Sequence, residues 1–125
     1  MTDSSITTAK NLTATVHVEQ DVTIVEVSGR MIGGEETSLL RERIKWLLNS
    51  TTNVILNLSG ITFIDSAGLG VLVSMWSSSK SVGRVLKLAS VHGKVKQVLE
   101  VTRLNSIFEI YETTGEAIKH VQKEK

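Results

Sequence analysis

Residues 53–60 read Asn-Val-Ile-Leu-Asn-Leu-Ser-Gly, so that Val54, Ile55, Leu56 and Leu58 make the segment apolar at nearly every position. A strand with one wet face alternates apolar and polar residues, whereas a short continuous apolar run suits a strand covered on both faces. Such a strand belongs in the middle of a parallel or mixed sheet with helices packed on it, which points to an α/β domain. The chain has 125 residues, 41% of them hydrophobic, which fits one compact domain burying about two-thirds of its unfolded surface.

The flanking patterns supply the other elements. Residues 1–12 are polar and aperiodic and are expected to form a flexible tail, with a single domain over 13–125. Val16 and Val18, then Val22, Ile24, Val25 and Val27, predict two short strands that turn near Gln20-Asp21 without an Asn-Gly signal. Leu40, Ile44, Leu47 and Leu48 fall on one face of a helix over about 35–50. Leu69, Leu72, Val73 and Trp76 repeat at helical spacing and predict a second helix over 66–80, frayed in its serine-rich end. "RVLKLAS" reads as a strand, and "GKVKQVLEVTRL" as a helix with Val95, Val98 and Leu99 inward and Thr102 at the margin. "SIFEIYE" then makes a last strand, and "TTGEAIKHVQK" a last helix burying Ala117, Ile118 and Val121. The order is β-β-α-β-α-β-α-β-α, in which strands separated by helices make right-handed crossovers onto one sheet.

Composition narrows the chemistry. With no cysteine, disulfides, thiolate metal sites and thiol catalysis are excluded. Fourteen basic and 13 acidic residues give a formal charge of +1, and 4% aromatic residues without a dense basic cluster argue against a nucleic-acid reader. The start of the chain lacks a basic segment followed by an apolar core, and no apolar run approaches membrane-spanning length, so a cytoplasmic domain is expected. His17, His92 and His120 fall on three different elements without ligand-like spacing, and helix capping is the expectation for His92. No G-x-S-x-G, Walker loop or G-x-G-x-x-G is present. Gly29, Gly33 and Gly34 read as turn residues that allow positive φ.

What remains is the run Ile64-Asp65-Ser66-Ala67-Gly68-Leu69-Gly70, an acid and a hydroxyl at a strand end with two glycines close behind. Asp65 and Ser66 each suit the N-cap of the following helix, where one would suffice. Gly68 and Gly70 lie in the first turns, where each costs about 1 kcal/mol relative to alanine. Keeping the surface around Ser66 low, so that a partner reaches its hydroxyl, is the reason offered for them.

"NVILNLSGITFIDSAGLGVLVSMWSSSK", with "VSGRMIG" before it and "RVLKLASVHGKVKQVLEVTRLNSIFEIYET" after it, resembles STAS domains, specifically the bacterial anti-sigma-factor antagonists. The resemblance covers about residues 14–122 and implies a four- to five-stranded mixed sheet flanked by helices. It implies a binding module rather than an enzyme, with no cofactor of its own. The serine after the aspartate, here Ser66, would be phosphorylated by a partner that is both anti-sigma factor and serine kinase. The unphosphorylated form would hold that partner and free the sigma factor, and a PP2C-type phosphatase would restore it. Asp65, Ser66, Ala67 and Gly68 would meet the partner, and Val71 and Met75, off the main apolar stripe, either offer it an apolar contact or pack on a second face. Neither nucleic acid nor membrane is an expected partner, and a monomer is expected when free.

Three positions depart from that family's pattern: Ala67 replaces a second serine, Arg103 a glycine at the end of the third helix, and Gly93 a proline at its start. A constitutive STAS subunit of a transport or stress-signalling complex is the alternative with the same fold. An aspartate-phosphorylated receiver would need acids after the first strand and a lysine ending the fifth, and neither stands out.

Overall fold

The computed structural model describes residues 4–7, 11–50 and 53–123. Its central strand, β4 (Asn53–Ile64), is the apolar run of the sequence, and its side chains divide between two cores as two-sided burial requires. Before it come β1 (Ser4–Thr7), β2 (Leu12–Glu19), β3 (Val22–Met31) and helix α1 (Glu35–Asn49). After it come α2 (Ser66–Ser81), β5 (Leu86–Ala89), α3 (Gly93–Val101), β6 (Ile110–Tyr111) and α4 (Thr114–Lys123). Among the described residues the six strands form one sheet in sequence order. The β1–β2 and β2–β3 pairs are antiparallel, and those from β3 to β6 are parallel. Strands β2 to β6 are the expected mixed sheet. The expected tail gives way at its described part: residues 4–7 pair with β2, and Leu12 is a buried strand residue. Residues 1–3 and 8–10 of that tail lie outside the described residues.

The turn between β2 and β3 has Gln20 at φ 53 and Asp21 at φ 68. Two positive φ values are what a type I′ hairpin turn needs, since its twist matches the strands it joins. Residues other than Asn-Gly achieve it here.

Val54, Leu56 and Leu58 of β4 point into the larger core with Val25, Val27 and Met31 of β3 and Leu86 and Leu88 of β5. Leu40, Ile44 and Leu48 of α1, Leu72 and Met75 of α2, and Val95 and Leu99 of α3 close it. On the other face Val22, Ile24, Ile55 and Ala89 are covered by Ala117, Ile118 and Val121 of α4.

Helix α2 is rotated from its expected setting. Its buried line is Gly68, Leu72, Met75 and Ser79, while Leu69, Val73 and Trp76 are half-buried flanks. A helix apolar on several sides has no unique stripe in its sequence, so the fit to the sheet chooses one. Met75 is therefore a core residue with no exposed surface, and the expectation that it meets a partner is corrected. Nor is the serine-rich end frayed: α2 runs to Ser81, and the buried Ser79 Oγ donates to the Trp76 carbonyl at 2.6 Å.

Helix α3 begins with Gly93 at φ 60, a conformation closed to proline, and ends before Arg103 in the left-handed conformation at φ 63. Arginine thus accepts a backbone setting that favours glycine. Thr102 is exposed, and its Oγ1 donates to the Val98 carbonyl at 2.7 Å instead of packing inward.

Candidate functional site

The end of β4 and the start of α2 meet the loop after β3. Asp65 is the N-cap of α2: its backbone is extended, and its Oδ1 accepts a hydrogen bond from the Gly68 amide at 2.8 Å. Its other carboxylate oxygen accepts from the Gly33 amide at 3.2 Å, and its own amide donates to the Met31 carbonyl at 3.2 Å. One side chain thus ties the helix start to a loop 32 residues earlier in the chain. The Gly68 amide first, then that of Gly33, hold the Asp65 carboxyl below its ordinary value, because N–H donors stabilise the ionised form.

With Asp65 supplying the cap, Ser66 is left as the first residue of the helix. It is exposed, and among the described residues its hydroxyl has no hydrogen-bond partner. Of the two capping readings left open by the sequence, the structure takes Asp65. Ala67 is exposed beside Ser66, and its methyl would lie 3.1 Å from a Cβ on Gly33, so the loop packs closely against it. Val71 is half-buried against the larger core and keeps part of its surface open.

The two glycines have different reasons. Gly68 is buried against β3, and a Cβ there would sit 2.2 Å from the Met31 carbonyl oxygen and 2.9 Å from Ile64 Cγ1. It lets the helix approach the strand, and the expectation that it lowers the outer surface is corrected. Gly70 is exposed, with nothing within 4 Å of the place a methyl would occupy, and it alone of the two keeps that surface low.

Gly33 and Met31 are the partners that the sequence did not reveal, since their contacts to Asp65 are made by backbone atoms from a distant segment. Gly29 and Gly34 do have positive φ, at 114 and 132, but Gly29 lies within β3 rather than in a turn. At the same end of the sheet Phe63 stays 40% exposed, with the Arg30 guanidinium 5.2 Å from its ring centroid. His92 stands at the N-cap of α3 but gives no side-chain cap; its ring nitrogen donates to the Ser59 carbonyl at 2.8 Å. Among the described residues no group of three or more His, Cys, Asp or Glu side chains is placed to hold a metal ion. No helix there is long and apolar enough to cross a membrane.

The STAS domain family profile matches residues 13–117, across the sheet, the Asp65–Ser66 corner and the first turn of α4. The chain belongs to the STAS domain family. A Thermotoga neapolitana relative, named as a homolog of the anti-sigma factor antagonist TM1081, is 39% identical over 83 residues, 62% of this chain and 74% of the relative. The anti-sigma-B factor antagonist of Bacillus subtilis is 28% identical over 99 residues, 76% of this chain and 88% of the relative. In three dimensions the STAS domain described above matches the NMR structure of TM1081 from Thermotoga maritima with a TM-score of 0.77 and 32% identity, covering 86% of each chain. Its fold also matches an anti-sigma factor antagonist from Mycobacterium paratuberculosis, with a TM-score of 0.77 at 22% identity over 90% of this chain and 95% of the other.

Proposed function

We propose that this STAS domain is an anti-sigma factor antagonist switched by phosphorylation of Ser66. The observation that carries the reading is the division of labour at the start of α2: Asp65 caps the helix, so the Ser66 hydroxyl is exposed and uncommitted. Family membership and homologues named as anti-sigma factor antagonists support it. The unphosphorylated protein binds an anti-sigma factor that is also a serine kinase, and a PP2C-type phosphatase reverses the modification. The chain itself catalyses nothing, and it works in the cytoplasm.

The electrostatics explain why phosphate would act at the interface and not on the fold. Phosphorylation adds about −1.5 to −2 charges at neutral pH. At the first residue of a 16-residue helix the unsatisfied amides and the macrodipole favour that charge, so the domain keeps its structure. Asp65, held ionised by backbone donors, stands next to it. A partner seated over Ser66, Ala67 and the open edge of Val71 would have to desolvate two adjacent anions, and binding weakens.

The test is a pair of variants assayed with the cognate kinase and anti-sigma factor, found by capture from the native cell. Ser66→Ala should bind and resist phosphorylation. Ser66→Asp should bind at least about tenfold more weakly, one acidic charge being a partial copy of phosphate. Phosphate transfer to Ser66→Ala would move the site elsewhere. Undiminished binding by Ser66→Asp would remove the electrostatic switch, and capture of transport subunits without a kinase would favour a constitutive STAS subunit.

A further inference from the structure

At the opposite end of β5 from this site lies a small cavity of about 70 Å³ between the end of α2, the start of β5 and the segment leading into β6. Among the described residues its lining includes three cationic side chains, Lys80, Arg84 and Lys87, against a single carboxylate, Glu109. We propose that this cavity binds one tetrahedral oxyanion, either orthophosphate or the phosphate group of a small monoester.

Lys87 is the floor. Its side chain is 2% exposed, although it lies on a sheet strand, and it is ion-paired to Glu109. Burying an ammonium is costly unless it meets negative charge, so the fold commits the cavity's carboxylate to that cation. Glu109 is further engaged by the Tyr111 hydroxyl, which donates to it at 2.9 Å, and its carboxyl is held low chiefly by the hydrogen bond from Lys87. Lys80 acts on Glu109 only at longer range, and Arg84 has no acid within ion-pair distance among the described residues. Among the described residues neither forms an ion pair, and Lys80 is placed over the face of Trp76, 5.5 Å from a ring centroid.

The residues lining the cavity therefore carry two positive charges in excess, supplied by the end of α2, the loop after it and β5. Its volume of about 70 Å³ suits one small oxyanion. A guanidinium offers a planar pair of donors matched to two phosphate oxygens, and ammonium groups add point charge. A carboxylate ligand would use the same donors but leave part of their charge unmatched, which favours the doubly charged phosphate.

Inorganic phosphate and glycerol 3-phosphate are titrated into the whole protein at constant ionic strength, followed by ¹H–¹⁵N correlation spectra, with chloride as the control. Saturable shifts confined to Trp76, Lys80, Arg84, Lys87 and Glu109 are expected, and whichever probe saturates at lower concentration identifies the free anion or the ester. Arg84→Gln should weaken binding about tenfold, the loss of one charge-assisted pair. Lys80→Gln, at an exposed position that cannot unfold the domain, should weaken it severalfold. Ser66→Ala, at the other end of the sheet, should leave it unchanged. Linear shifts with both probes, shifts that chloride reproduces, or equal affinity in Arg84→Gln and Lys80→Gln overturn the proposal.

Discussion

Gly68→Ala and Gly70→Ala are one chemical change made two residues apart in one helix, and the structure gives them opposite signs. Helix propensity alone says that each should stabilise the protein by about 0.5–1 kcal/mol, because alanine loses less backbone entropy and covers more backbone. Gly70 should follow that rule, since a Cβ there meets nothing within 4 Å. The expected rise in Tm is about 2–5 °C for a domain of this size. Gly68 should not. A Cβ there would stand 2.2 Å from the Met31 carbonyl oxygen, where ordinary contact begins near 3.4 Å, so α2 has to retreat from β3 by about 1.2 Å (3.4 less 2.2). The obstacle is backbone, which cannot rotate away as a flexible side chain would. Retreat also stretches the Asp65 amide bond to the Met31 carbonyl and loosens Leu72 and Met75 in the larger core. Overpacking of this kind costs about 1–3 kcal/mol, against less than 1 returned by propensity. Urea denaturation followed by far-UV circular dichroism reads both variants, with unchanged m-values showing that stability alone has moved. A Gly68→Ala protein as stable as the wild type would refute the close approach of α2 to Met31 and the account of Asp65 built on it.

Asp65→Asn should lower Tm at pH 7 by a few degrees, because an amide nitrogen cannot accept from both the Gly68 and Gly33 amides. The Asp65 carboxyl is held below its ordinary value of 3.8, so the unfolded chain takes up that proton first. Its contribution is complete above that ordinary value and is lost as pH falls through the lower folded one, so thermal melts of the two proteins should converge in acid. Arg103→Gly should stabilise by about 0.5–1 kcal/mol, since glycine holds φ 63 without the penalty of a Cβ, and a loss on chemical denaturation would contradict the left-handed end of α3. Ser66→Asp should leave Tm unchanged or slightly raised, an acid in the first turn being favourable by about 0.3–1 kcal/mol, even while it weakens partner binding.

Much of this was legible because periodicity reports burial. The run Val54–Leu58 announced a strand covered twice, and Ala117, Ile118 and Val121 announced the face of α4 that covers it. The setting of α2 was not legible: with Leu69, Val71, Leu72, Val73, Met75 and Trp76 all apolar, spacing does not say which line meets the sheet. The contact of Gly68 with Met31 is what selects it, and that contact is between backbones 37 positions apart in the chain. The capping of α2 was half legible, because Asp and Ser are nearly equal as caps and only the Gly33 amide favours the carboxylate. Lys87 reads as a polar interruption in "RVLKLAS", and its burial follows from the position of Glu109 across the parallel pair.

The strands stand in the sheet in the order in which they are synthesised. Each one leaving the ribosome finds its partner as the exposed edge of what has already formed, with no gap to be held open for a later segment. One surface cannot be finished that way. Val22 and Ile24 emerge early and Ile55 midway, yet their cover, Ala117, Ile118 and Val121, follows all six strands. Until α4 docks, the sheet is a nearly complete scaffold with an oily back, and only the arrival of that helix removes this apolar face from water.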